Sequence, residues 1–263
     1  MKKIAFCFVI YDIINHEELW NKFFQNVDTN KYNIYIHYKT NTPLKYFEKY
    51  KLNNCIETVY ATYTLPLVFN ILFREAYKDI DNYKFINVSG SCVPFKNFNF
   101  IYNKLTMDNF GYFNISDKKQ CFPTCNSLIN KINIQFISKS HSWFILNRLL
   151  VSKLCFDKDD ILKSVFRLVY ATEEYFYYTF IKILNLENNI IATLNVSNDA
   201  TTFTNWKGTD YKYPSNYELK NYAYITEDEL YYLMNSKCLF GRKFNKECTS
   251  LYNSKYIDFI QST

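Results

Sequence analysis

Two glutamates stand side by side in VYATEEYFYYTFI, residues 169–181, just ahead of an aromatic run. A carboxylate in that setting has two uses. It can stabilise a helix start, where acidic side chains complement the positive end of the helix dipole, or it can take a proton from a bound hydroxyl. Thr172 is placed to cap such a helix. Consecutive helical residues are turned about 100° apart, so Glu173 and Glu174 cannot both address one substrate atom. The dipole keeps a first-turn carboxylate ionised, the form a base needs, at some loss of basicity.

The elements that must hold these groups alternate along the first half of the chain. KIAFCFVIY reads as a buried strand and NHEELWNKFFQNV as a helix, with Asn15 as N-cap and Glu18 completing a capping box. NIYIHYK is a second strand, TLPLVFNILFREAYKDI has apolar residues at helical spacing, and YKFINVSGS is a third strand. The alternation predicts βαβ units and a largely parallel sheet. Residues 105–140 are polar and irregular, with one strand expected at INIQFIS. SWFILNRLLVSKL and DKDDILKSVFRLV read as helices before the one opened by Thr172, then NIIATLNVS as a strand and TEDELYYLMNSK as a short helix. No linker, repeat or low-complexity tail interrupts the pattern, and one domain over 1–263 is expected.

Composition narrows the classes. Hydrophobic residues make up 48 %, enough for a sizeable core without metal or disulfide staples. The net charge of +6 is mild and its lysines are dispersed, so no nucleic-acid partner is expected. MKKIAFCFVIYD imitates a signal peptide, but the apolar run is short and no small-residue cleavage site follows. No run approaches the ~18 apolar residues of a membrane span. These features lead to the expectation of a cytoplasmic or viral-factory protein with reduced thiols. The eight cysteines are scattered. CFPTC (Cys121, Cys125) lacks a second pair for zinc and reads as loop thiols, while a Cys238–Cys248 bridge stays open.

With only four glycines, their places inform. Gly90 in SGSCVPF, Gly208 in NWKG and Gly241 in FGRKF read as turns at element ends, where α/β sheets bind ligands. There is no GxGxxG and no GxxxxGK[ST], which excludes a dinucleotide fingerprint and a P-loop.

KFINVSGSCVPFKNFNFIYNKL, SKSHSWFILNRLLV, ATEEYFYYTFI, TNWKG and CLFGRKFN, with IAFCFVIYD, WNKFF and YNIYIHYK before them, occur in order over roughly residues 3–246. In this the chain resembles the core-2/I-branching β-1,6-N-acetylglucosaminyltransferase family, closest to its small plant-like and microbial or viral branch. The resemblance implies an α/β, GT-A-like fold with a mostly parallel central sheet flanked by helices. It also implies an inverting transfer from a UDP-sugar, most often UDP-GlcNAc and in some relatives UDP-xylose, to a glycan hydroxyl, with no metal or other cofactor.

Carried over residue by residue, the resemblance makes Glu174 the base and Lys243 the diphosphate ligand. Lys220 stands where relatives can carry an arginine, which keeps the charge but loses the bidentate fork; Arg242 either assists or points away. Trp206 falls on an acceptor-side aromatic, and Ser140, His141, Ser142 and Trp143 on the stretch under the donor sugar. Glu173 occupies an often acidic position, and Ser91 lies in the SGSCVP turn where a metal-binding carboxylate would otherwise stand. His37 and Tyr38 end a strand beside the uridine. Lys39 replaces an acidic residue of some relatives, and Gly90 a frequent glutamate, so base and acceptor contacts are expected to differ. The D-x-D strings DID (79–81) and DKD (157–159) lie away from the metal position of GT-A enzymes. A second class, a catalytically inactive glycan- or nucleotide-sugar-binding protein of the same fold, would retain the nucleotide contacts without turnover.

Overall fold

The computed structural model describes residues 1–117, 125–194, 200–205 and 219–262. The first half runs β1 (Lys3–Ile10), α1 (Glu17–Phe24), β2 (Tyr32–Tyr38), α2 (Thr64–Tyr77), β3 (Asn82–Ser89), β4 (Val93–Pro94), α3 (Phe98–Thr106) and β5 (Gly111–Ile115). It continues through α4 (Asn126–Ile129), β6 (Ile145–Asn147), α5 (Arg148–Leu154), α6 (Asp159–Ser164), α7 (Thr172–Ile183) and β7 (Ile190–Leu194). β8 (Thr202–Thr204), α8 (Glu227–Asn235), β9 (Phe240–Arg242) and α9 (Ser254–Gln261) follow.

Six of these strands form one sheet in the order β2-β1-β3-β6-β5-β7. β1 pairs parallel with β2 and β3, and β5 parallel with β7, while β6 runs antiparallel to both its neighbours. This is the mostly parallel α/β sheet that the alternating pattern predicts. β1 is apolar along almost its whole length because it is covered on both faces, as central parallel strands are. A smaller sheet, β4-β9-β8, lies beside it. Among the described residues no helix is long and apolar enough to cross a membrane.

Helices α2 and α7 pack in one core cluster with the β1 and β3 side chains that face them. The aromatic run after the two glutamates is therefore core: Tyr175, Phe176 and Tyr177 are fully buried. The Tyr177 hydroxyl donates to Asn70 Oδ1 at 2.9 Å and so ties α7 to α2. Pro66 sits in the first turn of α2, where its missing N–H costs nothing in helix bonding. Arg74, one helical turn past Asn70, grips Asp159 through two bonds of 2.9 and 3.0 Å and adds α6 to the stack. That pairing gives the third residue of DKD a structural use. Asp79 of DID is likewise engaged, by Lys3 at 2.9 Å and Asn33 at 2.8 Å.

Several local expectations are corrected. Asn15 does not cap α1; its side-chain amide donates to the Phe244 carbonyl at 2.8 Å, and His16 takes the cap position without a side-chain bond into the helix. A tertiary partner outcompeted the local one. Thr172 is the first residue of α7 rather than its cap, and its hydroxyl donates to the Val169 carbonyl at 2.7 Å. Residues 132–138, INIQFIS, form turns rather than a strand. The helix expected over SWFILNRLLVSKL begins only at Arg148, because Ile145–Asn147 is the strand that joins β3 to β5; Asn147 then caps α5 by accepting from Leu150 N–H at 2.8 Å. Gly241 lies within β9 rather than in a turn. Cys238 and Cys248 are both buried and no bridge joins them. Gly208 lies outside the described residues.

A Cβ on Gly241 would fall 2.1 Å from the Phe95 ring, which itself packs in the core of the small sheet. Overpacking of this kind costs about 1–3 kcal/mol. Gly241→Ala should accordingly lower the thermal midpoint by several degrees in a differential scanning measurement, and an unchanged midpoint would show that the ring yields freely.

Candidate active site

The carboxyl ends of β1, β2 and β3 share one edge because the three strands are parallel. Open α/β sheets bind ligands at that edge. The loop after β3 is pressed against the loop after β1: Gly90 N–H donates to the Val9 carbonyl, and a Cβ there would meet Ile13 O at 2.5 Å. Ser91 continues this loop, and its carbonyl accepts from Phe244 N–H at 3.0 Å. That bond brings the SGSC turn against the end of β9, which carries Arg242, and Lys243 just after it.

The two glutamates reach the same region from α7. The bond from Ser140 N–H to the Glu174 carbonyl, 2.7 Å, fixes the first turn of α7 against residues 139–142. Ser140 is in turn bridged to Ile115 at the end of β5. Glu173 is buried, with 8 % exposure, and its Oε2 has no partner among the described residues. Burial, and then the charge of Glu174, push its carboxyl up to about 7, against the pull of nearby polar groups. Glu174 is less enclosed and its Oε2 lies 3.0 Å from Lys139 Nζ.

Arg242 lies within electrostatic reach of this pair. Its guanidinium stacks over the Trp143 ring at 4.2 Å, and its Nε has no partner among the described residues. Burial draws it down to about 10, with Cys92, Glu173 and Glu174 pulling the other way. Lys243, half-buried, is held below the usual lysine range by burial and by the neighbouring guanidinium. The side chain of His141 is pushed down to about 4 by burial, Lys139 and Arg242, so the ring is neutral near pH 7. Ser140 Oγ is buried and without a partner among the described residues.

Two tyrosines that sequence reasoning passed over stand at the mouth. Tyr60 and Tyr170 are exposed by 87 % and 57 %, and Tyr60 lies within electrostatic reach of Tyr170 and of both glutamates. The residue after each has a left-handed backbone, φ 55° at Ala61 and 51° at Ala171, and Ala171 N–H donates to the Ala61 carbonyl at 2.9 Å. Left-handed non-glycine residues gather at ligand sites.

The structure thus brings together Glu173, Glu174, Ser140, His141, Ser142, Trp143 and Arg242, with Lys243 and Ser91 alongside. Lys220 stands nearby, since Tyr222 N–H donates to the Lys243 carbonyl, but its ammonium is paired with Glu229 at 3.4 Å. His37 is buried, and its Nε2 accepts from Ile56 N–H at 2.9 Å, so its role at this edge is to hold a loop. Tyr38 instead lines a cleft of about 440 Å³ with Lys39, Thr40, Cys55, Ile56 and Glu57. Lys39 Nζ donates to the Thr58 carbonyl at 2.8 Å. Trp206 lies outside the described residues. The residue that sequence reasoning missed outright is Lys139. Its signal was its place in SKSHSW, one residue before the stretch already singled out.

The family model described as Core-2/I-Branching enzyme matches residues 4–231. Among curated proteins, the chain is similar to "Glycosyltransferase BC10" of Oryza sativa subsp. japonica, 26 % identical over 108 residues, which is 38 % of this chain and 27 % of that protein. The match therefore spans about a quarter of that relative's length.

The raised carboxyl of Glu173 has a consequence for stability. In the unfolded chain it releases its proton near 4.5 and in the folded one near 7. The folded state binds the extra proton between those values, so stability is full below 4.5 and falls as pH rises through about 7. The loss reaches about 3 kcal/mol at most. Urea denaturation at pH 5 and pH 8 should show a smaller pH dependence in Glu173→Gln than in the parent. Equal dependence in the two proteins would mean that Glu173 ionises normally.

Proposed function

The chain belongs to the Core-2/I-branching enzyme family, and from that premise we propose that it is a glycosyltransferase. In this reading it moves a sugar, GlcNAc being the expected one, from a UDP-sugar to a hydroxyl of a glycan acceptor. The observation that carries the reading is the meeting of a first-turn carboxylate pair on α7 with a desolvated guanidinium and a half-buried ammonium from β9 and the residue after it.

Glu174 takes the proton of the acceptor hydroxyl as that oxygen attacks the anomeric carbon of the donor. The bond from that carbon to the diphosphate breaks, its electron pair leaves with UDP, and a single displacement inverts the configuration. Positioned base catalysis of this kind contributes about 10²–10⁴-fold. Lys243 and Arg242 meet the charge that grows on the diphosphate, and low surrounding polarity strengthens that interaction. Arg242 is already held over the Trp143 ring before substrate arrives, so little reorganisation is needed. Glu173, with one unpartnered oxygen, is suited to accept a hydrogen bond from a sugar hydroxyl, and Ser140 Oγ to complete another. Neutral His141 serves as a polar wall rather than as an acid. Lys220 reaches the diphosphate only by leaving Glu229. The nucleotide lies toward the Tyr38 cleft, where Lys39 offers a donor instead of a carboxylate.

The same reading places no divalent ion in the reaction. Its support is the donor set: the SGSC turn carries no carboxylate, and Asp79 and Asp159 are held by Lys3 and Arg74. A second reading, a nucleotide-sugar-binding protein without turnover, is favoured by one observation: Glu174 is already engaged by Lys139.

A screen of UDP- and GDP-sugars for binding and hydrolysis separates the two readings, binding with no hydrolysis or transfer supporting the second. Glu174→Gln should cut turnover by about 10²-fold or more while UDP affinity stays nearly unchanged; a variant as fast as the parent removes Glu174 as base. Activity should persist in EDTA. Loss that manganese restores would overturn the metal-free mechanism. Lys243→Ala should weaken UDP binding in calorimetry, and unaltered binding would make that lysine a bystander.

A further inference from the structure

A base in a protein site works best when a third group fixes it in the orientation the reaction needs. Resting on the reading of Glu174 as base, we infer that Lys139 is its positioning residue, holding one carboxylate oxygen so that the other meets the acceptor hydroxyl. Lys139 Nζ lies 3.0 Å from Glu174 Oε2, and both side chains are about three-quarters covered, with 25 % and 23 % exposure.

The backbone of Lys139 is fixed from two sides. Its carbonyl accepts from Ser116 N–H at 2.9 Å, and the next residue, Ser140, donates to the Glu174 carbonyl at 2.7 Å. Lysine and glutamate are thus joined twice, once through side chains and once through main chain one residue away. A pair linked only through long side chains on a surface is worth little and samples many geometries. Here the second link sets the distance between the two Cα positions, so the ammonium addresses one carboxylate oxygen from a fixed origin. The ammonium also lies 5.9 Å from the Tyr175 ring, a buried residue of the same helix turn.

The pair has a second effect during the reaction. When Glu174 accepts the proton, its charge disappears while the charge of Lys139 stays. Net positive charge then rises beside the reacting atoms as negative charge builds on the departing diphosphate, an interaction realised only in the transition state. Lys139 needs no contact with substrate for this.

The test is a double-mutant cycle. UDP-GlcNAc hydrolysis and UDP affinity are measured for the parent, K139M, E174Q and K139M/E174Q, with K139R and K139Q added. K139M should lower kcat by about tenfold or more with KM and UDP affinity within about twofold of the parent. In the E174Q background the same change should cost less than about threefold. K139R should retain more activity than K139M or K139Q, because it keeps the charge that orients the carboxylate. A K139M cost undiminished by E174Q, or a parallel loss of UDP affinity, would overturn the inference and make Lys139 a structural or phosphate-binding residue. If K139M proves unstable, K139Q carries the same comparison. An E174Q protein as fast as the parent would overturn the base reading itself, an outcome separate from failed coupling.

Discussion

The hydrogen bond from Ser140 N–H to the Glu174 carbonyl is the joint on which the site is assembled. Through the bridge between Ser140 and Ile115, it links the end of β5 to the first turn of α7. Residues on one side of that joint, Lys139, His141, Ser142 and Trp143, are thereby brought to the carboxylates on the other. Helix α7 is itself clamped to α2 by Tyr177 and Asn70, so the joint transmits the rigidity of the main core to the side chains at its edge. A carboxylate on a mobile loop would have no such reference frame, and a misplaced group loses much of its effect on a reaction.

Around the joint the charges are arranged in alternation. Lys139 meets Glu174, Glu173 lies behind, and Arg242, over the Trp143 ring, lies within electrostatic reach of both glutamates. None of the four is fully solvated. Burial that raises Glu173 also lowers Arg242 and His141. Unpartnered atoms at Glu173 Oε2, Arg242 Nε and Ser140 Oγ are the complement of this tuning. Among the described residues these three have no partner, and buried polar atoms seldom lack one.

Much of this was legible in the chain, and the failures follow a pattern. β1 declares itself because a central parallel strand needs an almost unbroken apolar run, while β2, at the sheet edge, shows alternating burial. Glu174, Arg242 and Lys243 are singled out by motifs whose order carries the information, and the fold sets them around one region. The short strand Ile145–Asn147 was hidden because FILNRLL fits a helix as well as a strand, and only the gap between β3 and β5 decides. The αL residue before α7 left no mark, since alanine is not a residue that announces a left-handed turn. Lys139 was passed over because a lysine is usually solvated, and its partner belongs to another element. Asn15 shows the converse: a sound local signal for a cap lost to a carbonyl on a distant segment.

The two alanines behind Tyr60 and Tyr170 limit how this mouth can change. At φ near 50° a β-branched residue clashes with its own backbone, so neither position admits valine, isoleucine or threonine without disturbing the bond that joins them. Variation at this edge must then be written into the aromatic rings themselves, while the residues behind them stay small. A lineage reshaping this surface would find two adjustable lips mounted on a frame that tolerates almost no alphabet.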